Sequence, residues 1–420
     1  MKVFKFGGAS VKSAQAVRNV EKIISKFSND KIMIVISAMD KTTNTLEKLC
    51  NNYINNDNEK FEIYNKVKDF HFDIFNELIK DNKVEFENIL KFEFEKLESI
   101  ISKENESSAA KSYAQIVSFG ELFSTLIIYF YLKHNNYNCR WELAGNYIIT
   151  DDNYKEAKVN WNLSNDKIKN ILEPKFDSSE IIISQGFISK SDSGTTTTLG
   201  REGSDYSAAI FAYCLDAECV YIWKDVPGLL NADPKFFENT QKLDYISYRE
   251  TIELAYYGAS IIHPKTIQPL QNKNIPLYIK SFKSPDEKGS IIQSKTYADS
   301  LIPSYIFKKE QVLISISSKD FSFIAEDNLS HIFNKMTEYG LKANLMQNSA
   351  ISFSICMDDM GEDMLNFIND LQSDFIVKYN ERMELWTIRH YNQEVINNLI
   401  GKRKIYLEQK NRTTVQLLIR

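Results

Sequence analysis

The sequence predicts an α/β protein: an open, mainly parallel sheet sandwiched by helices, followed by ferredoxin-like α+β domains. Three observations carry this. Over roughly the first 290 residues, short apolar runs alternate with helical spacing, the pattern of parallel strands buried on both faces. Glycine-rich or hydroxyl-rich turns follow several of these runs, where an open sheet places its ligand. From about residue 312 the order becomes strand, helix, strand, strand, helix, strand, the ferredoxin-like unit.

The elements follow in order. Residues 2–6 read as a strand ending in Gly7-Gly8, and a helix follows with Val17, Val20, Ile23, Ile24 and Phe27 at helical spacing. The run KIMIVI at 31–36 closes a βαβ unit. Residues 57–134 are mostly helical in pattern, with Phe70, Ile74, Phe75 and Leu78 on the core side. Strands return at 181–184, 219–223 and 277–279, with helices at 205–215 and 264–271 between them. The C-terminal unit reads as a strand at 312–316, a helix at 328–339 stopped by Gly340, strands at 341–347 and 351–357, a helix at 362–371 and a strand at 375–379. A second, shorter round has strands at 385–390, 404–409 and 414–419 and a helix at 394–400. Its last helix and strand are missing, so an exposed sheet edge is expected to need a partner. The expected division is 1–296 and 297–420, the second part holding units at about 310–380 and 381–420, joined through the Pro- and Gly-containing stretch 281–303.

A chain of 420 residues exceeds one core, so two or three domains are expected. The net charge of −5, with basic and acidic residues interspersed, gives no basic face and argues against a nucleic-acid partner. Five scattered cysteines without metal-type pairing fit a reducing cytoplasm. The opening MKVFKFGGAS has no secretory pattern, and no uninterrupted apolar run of membrane-spanning length stands out, so no membrane partner is expected.

Five segments carry candidate chemistry. In KFGGAS (5–10), Gly7 and Gly8 let backbone N–H groups approach a ligand with Lys5 aimed at the same place; alternatively this is a tight strand-to-helix turn. SAMDKTTN (37–44) ends another strand, and its hydroxyls either cap a helix or hold phosphate and carboxylate oxygens. FGELFST (119–125) sets Glu121 in an apolar helix, where a carboxylate must be paired or neutralised: either a structural salt bridge or the receiver of a substrate ammonium. TTTTLGREGSDYSAA (195–209) offers the planar fork of Arg201, with Ser204 and Asp205 at the start of the next helix, where either could simply cap it. WKDVPGLLNADP (223–234) is a turn that either holds a nucleotide's base and ribose or is an ordinary β-turn.

Together with QGFI (185–188) and YGASIIHPKT, these segments resemble the aspartate kinase family of the amino-acid kinase superfamily, in its order and spacing. TTTLGR-x-GSDY with SFGEL resembles aspartate kinases more than acetylglutamate, glutamate, carbamate or uridylate kinases. The C-terminal units look like the family's ACT pair. The resemblance implies an amino-acid-kinase-type fold and a reaction in which ATP phosphorylates the side-chain carboxylate of L-aspartate, the first step toward lysine, threonine and methionine. It implies Lys5 and Asp205 as catalytic residues, Lys5 on the transferring phosphoryl group and Asp205 orienting it. Ser37, Thr43, Glu121, Arg201 and Ser204 would bind aspartate, Glu121 taking the α-ammonium and Arg201 the α-carboxylate. Lys5, Gly7, Gly8, Ser10, Trp223, Lys224, Asp225, Gly228, Asp233, Ser260 and Lys265 would meet ATP. Mg²⁺ would enter on the phosphates, with no protein ligand assigned. Asn344, Asn348 and Ser349 are candidate amino-acid effector contacts, and a homodimer is expected. Glu202 and Ser260 stand where many relatives have Gly and Lys. Asn344, Asn348 and Ala350 stand where lysine-inhibited relatives carry an acid, a hydroxyl and another acid, so weak or absent inhibition by lysine is expected. The rival readings are another amino-acid kinase and a catalytically weak amino-acid sensor.

Overall fold

The computed structural model describes residues 1–420 apart from 82, 260, 261, 321 and 402, and apart from the side chains of 395 and 398. It divides into two compact units. The first comprises Met1–Leu229, Lys242–Ile252 and Ile262–Thr296; the second comprises Leu230–Gln241, Glu253–Ile261 and Tyr297–Arg420.

The strands of the first part of the chain are β1 (Lys2–Phe6), β2 (Ile32–Ile36), β3 (Cys139–Glu142), β4 (Ile149–Thr150), β5 (Ile181–Gln185), β6 (Ile188–Ser191), β7 (Thr196–Thr198), β8 (Cys219–Lys224), β9 (Leu229–Leu230), β10 (Lys242–Leu243), β11 (Tyr245–Ser247), β12 (Leu277–Ser281) and β13 (Ser290–Gln293). Eight of them form one sheet in the order β11-β13-β12-β8-β1-β2-β5-β3. Among the described residues its strands pair in parallel except β12 with β13. All five residues of β2 are buried, as its unbroken apolar run requires of a strand covered on both faces.

Alternation along β1 decides what faces where. Phe4 and Phe6 enter the core shared with α1 (Ala14–Ser25), α2 (Thr42–Ile54), α3 (Glu59–Leu78), α4 (Val84–Ile101) and α6 (Phe119–His134). Lys5 points to the other face, against α8 (Gly203–Cys214). Between these lie α5 (Ala109–Val117) and α7 (Trp161–Lys167), and farther on α9 (Tyr248–Tyr257) and α10 (Pro264–Asn272). The segment Ala109–His134 is long and apolar enough to cross a membrane by length and composition, contrary to the sequence reading. Its most apolar window is 83% buried inside the protein, so this apolarity is spent on the core.

Two glycines bring the strand ends together. A Cβ on Gly8 would lie 2.7 Å from the Ala38 carbonyl oxygen, and one on Gly186 would lie 2.4 Å from the Ser204 Cβ. The turn after β1 therefore sits against the turn after β2, and the end of β5 against the first turn of α8.

In the second unit the strands are β14 (Ser304–Ser318), β15 (Ala343–Asn348), β16 (Ser352–Asp358), β17 (Phe375–Arg389), β18 (Ile405–Lys410) and β19 (Thr414–Ile419), with α11 (Glu326–Glu338), α12 (Glu362–Leu371) and α13 (Gln393–Ile400). They form one six-stranded sheet, β15-β16-β14-β17-β19-β18. Strand β17 fuses the two strands expected at 375–379 and 385–390. The polar break between them is an irregularity around Arg382, whose φ is 56°. Strand β14 is likewise longer than expected, and residues 304–308 pair with the second half of β17. This corrects the expected open edge: the chain's own residues 304–308 occupy that side of the second round.

Candidate active site

The carboxyl ends of β1, β2, β5 and β8 lie side by side in the sheet, and a cavity of about 910 Å³ opens above them. It lies within the first unit. Lys5, Ser37, Thr43, Glu121, Arg201, Ser204, Asp205 and Lys224 line it together, so segments far apart in sequence converge.

Lys5 Nζ lies 2.7 Å from Asp205 Oδ1, and Lys224 Nζ 4.0 Å from Asp205 Oδ2. Both members of the closer pair are buried, Lys5 at 9% exposure and Asp205 at 4%. Burial pushes the Asp205 carboxyl upward, but the Lys5 and Lys224 ammonium groups outweigh it and hold the pKa below the usual value. The site thus contains a fixed carboxylate between two cations.

Glu121 is arranged differently. It sits in the first turn of α6, next to Gly120, where an added Cβ would lie 2.9 Å from the Ala38 Cβ. The close approach lets the Ala38 N–H donate to Glu121 Oε1 at 3.1 Å. Oε2 is buried without a hydrogen-bond partner among the described residues. Burial raises the carboxyl pKa to about 8, against the lowering effect of the backbone bonds and of Lys5. A buried acid with one oxygen unsatisfied suits an incoming cation.

The turn from β7 into α8 is built on left-handed backbone, with φ of 74° at Gly200 and 55° at Glu202. Glu202 Oε2 accepts from the His263 N–H at 2.9 Å, at the N-terminus of α10. Its charge is therefore spent on a helix end, where an acid is favourable. Arg201 is exposed and makes no ion pair within 4 Å among the described residues. Ser204 lies in the first turn of α8.

Other expected residues lie elsewhere. Trp223 is 1% exposed and stacks on Phe6 with ring centroids 6.0 Å apart. This corrects its side chain from a ligand contact to a core residue, because the register pairs it with Phe6 on the helix-covered face. The Ser10 hydroxyl is likewise buried and donates to the Trp223 carbonyl at 3.2 Å. A side chain at Gly7 would place its Cβ 3.5 Å from Lys5 Nζ, and the Gly8 carbonyl accepts from the Asp40 N–H. Asp225 is exposed, and Gly228 is buried in the turn before Leu229, whose N–H donates to Ser290 Oγ. Lys265 is exposed at the start of α10, its N–H donating to His263 Nδ1. Asp233 belongs to the second unit, where its carboxylate accepts from the Lys235 N–H. Ser260 lies outside the described residues.

Among the effector candidates, Asn348 and Ser349 are exposed around the β15–β16 turn. Asn344 has its amide fully used: Lys308 Nζ donates to its Oδ1 at 2.8 Å, and its Nδ2 donates to Gln311 Oε1 and Asp358 Oδ1.

The cavity also contains residues the sequence reading passed over: Glu47, Tyr113, Asn153, Lys155 and Phe187. Glu47 falls one helical turn after Thr43, a spacing that could have flagged it. For metals, the described residues hold no cluster of three His, Cys, Asp or Glu side chains, and Asp205 is engaged with Lys5.

The model of the amino acid kinase family matches residues 1–281, and the chain belongs to that family. Its relatives include the lysine-sensitive aspartokinase 3 of Escherichia coli K12, 30% identical over 363 residues, covering 86% of this chain and 78% of the relative. They also include the bifunctional aspartokinase/homoserine dehydrogenase of Buchnera aphidicola, 32% identical over 388 residues, covering 89% of this chain. The chain spans about half the length of that bifunctional relative, 47%. The crystal structure of E. coli aspartokinase III with aspartate and ADP superposes with a TM-score of 0.80 at 25% identity, covering 100% of this chain and 96% of that one.

The Glu121 environment predicts a pH signature in the ligand-free protein. Its folded pKa of about 8 exceeds the ordinary 4.5, so its contribution to stability is full below 4.5 and is lost as pH rises through 8. Thermal unfolding across that window is expected to show Glu121→Gln gaining on the wild type as pH rises. Parallel curves would contradict the assignment.

Proposed function

We propose that this chain is an aspartate kinase, converting L-aspartate and MgATP to 4-phospho-L-aspartate and ADP. The observation that carries the reading is the convergence, in one cavity, of the buried Lys5–Asp205 pair, the unsatisfied Glu121 Oε2 and the unpaired Arg201. The E. coli structure that shares the fold contains aspartate and ADP, which supports carrying both ligands over to this cavity.

The acceptor carboxylate is ionised at neutral pH and needs no general base. One of its oxygens bonds to the γ-phosphorus as the bond to the β-bridging oxygen breaks, and ADP leaves with that electron pair. The barrier is the approach of two anions and the charge of the transferring group. Lys5 offsets that charge, Asp205 holds Lys5 in place, and Lys224 adds a cation at the phosphate end. Arg201 clamps the α-carboxylate as a planar fork, and Glu121 ionises to receive the α-ammonium. Ser37, Thr43 and Ser204 complete the amino-acid end with hydroxyls. Mg²⁺ supplies charge neutralisation on the phosphates, carried in with ATP.

Five free, buried cysteines support a reducing cytoplasm as the setting. A homodimer now rests on the family resemblance alone, since residues 304–308 cover the edge that had argued for it. The rival amino-acid kinases are separated by comparing aspartate, glutamate and acetylglutamate as acceptors, and the sensor reading by binding without turnover.

In an aspartate-dependent ADP-release assay, Lys5→Ala is expected to lower kcat by about 10²–10³-fold. Arg201→Ala is expected to act mainly on the KM for aspartate. An unchanged kcat in Lys5→Ala, or a wild type that prefers glutamate or acetylglutamate, would overturn the reading. Because Asn344 already receives the chain's own Lys308 ammonium, a lysine titration is expected to leave the rate unchanged. Inhibition in the micromolar range would contradict that.

A further inference from the structure

We infer that Lys155 is a second carboxylate-binding cation of the amino-acid pocket, sharing the acceptor's α-carboxylate with Arg201. The inference deepens the aspartate kinase reading of the same cavity and rests on it.

Thr198 ends β7 fully buried. Its hydroxyl donates to the Lys155 carbonyl at 2.8 Å and to the Tyr154 carbonyl at 3.1 Å, and its N–H donates to the Tyr154 carbonyl. Glu156 bridges to Leu199, and the Ala157 N–H donates to the Thr198 carbonyl. The backbone of Lys155 is therefore pinned to the strand that runs directly into Gly200 and Arg201. Four consecutive threonines are more than a helix cap requires; Thr198 spends its hydroxyl fixing this neighbouring segment.

The side chain is held as well. Lys155 Nζ lies 4.6 Å from the centroid of the Tyr113 ring, within cation–π range. The Tyr113 hydroxyl donates to Glu47 Oε1 at 2.9 Å, fixing the ring. Lys155 makes no ion pair within 4 Å among the described residues, yet it lines the same cavity as Lys5 and Arg201. A cation stationed over an aromatic face, without a carboxylate of its own, is ready to accept one.

Position decides which anion it meets. Lys155 covers the Tyr113 ring, and the Tyr113 hydroxyl donates to Glu47, one helical turn from Thr43. Burial raises the Tyr113 pKa, and Glu47 and Glu121 are near enough to raise it further, which links Lys155 through Tyr113 to the Glu121 part of the cavity. Glu121 receives the α-ammonium in the proposed function. The α-carboxylate shares a carbon atom with that ammonium, so its cations must stand beside Glu121. Lys224, which meets Asp205, serves the phosphate end instead.

The test uses the full-length protein and two ligands, L-aspartate and its α-amide, which keeps the side-chain carboxylate and the ammonium but removes the α-carboxylate charge. Binding by calorimetry and steady-state kinetics are measured for wild type, Lys155→Ala and Lys155→Arg. Lys155→Ala is expected to weaken aspartate binding and raise its KM about tenfold, with kcat and the KM for ATP little changed. The same variant should bind the α-amide as the wild type does, and Lys155→Arg should restore aspartate. An equal loss on both ligands would assign Lys155 a structural role and overturn the proposal. Unchanged aspartate binding, or a raised KM for ATP instead, would overturn it too. A wild type that binds neither ligand would remove the aspartate kinase reading and this inference with it, an outcome distinct from wild-type activity with an indifferent Lys155.

Discussion

A buried ion pair between Lys5 and Asp205, 2.7 Å apart, is the constraint on which the catalytic unit turns. Two charges placed under a sheet's rim cost more in lost hydration than a surface pair, and their attraction compensates only when the geometry is right. That requirement couples the end of β1 to the first turn of α8. The glycines at 8 and 186 are the places where the chain makes the coupling sterically feasible, because no side chain fits there. The result is an oriented ammonium at the cavity, which in the proposed function is in place before a phosphate arrives. Preorganised charge of this kind is the main source of rate in phosphoryl transfer to a carboxylate.

Around that pair the cavity separates into two electrostatic ends. Lys5 and Lys224 surround one fixed carboxylate, Asp205, whose pKa they hold down. Glu121, buried with one unsatisfied oxygen, is pushed up to about 8. The two acids differ because Asp205 has two ammonium groups within 4.0 Å, whereas Glu121 is buried against a backbone N–H and feels Lys5 only from farther away. In the proposed function a ligand ammonium would supply what Glu121 lacks, which would link its ionisation to amino-acid binding. Glu202, an acid in the same loop as Arg201, does not disturb this balance because its carboxylate binds the N-terminus of α10.

Much of this was legible in the sequence, and the failures have identifiable physical causes. The apolar run of β2 and the turns after β1 and β7 pointed to strand ends carrying a site, and Lys5, Glu121, Arg201 and Asp205 do meet in one cavity. Trp223 was misread because a motif was followed and the strand's alternation was not; Tyr221 and Trp223 share the covered face with Phe4 and Phe6. The helical stretch before residue 134 gave no clear internal boundaries, since caps such as Ser108 are local hydrogen bonds and leave periodicity intact. In the C-terminal unit a polar break looked like a strand end but is an irregularity in a single strand, β17. Lys155 carried no motif at all. It reaches the cavity because Thr198 holds it there, a contact between segments more than forty residues apart.

A double-mutant cycle on Lys5 and Asp205, read as kcat with saturating aspartate and MgATP, tests the central claim most directly. If the two side chains act as one unit, Lys5→Met and Asp205→Asn each lower kcat, and the double variant is little worse than either single one. If the losses multiply in the double variant, the two groups act independently and the pair is not the device on which the site depends.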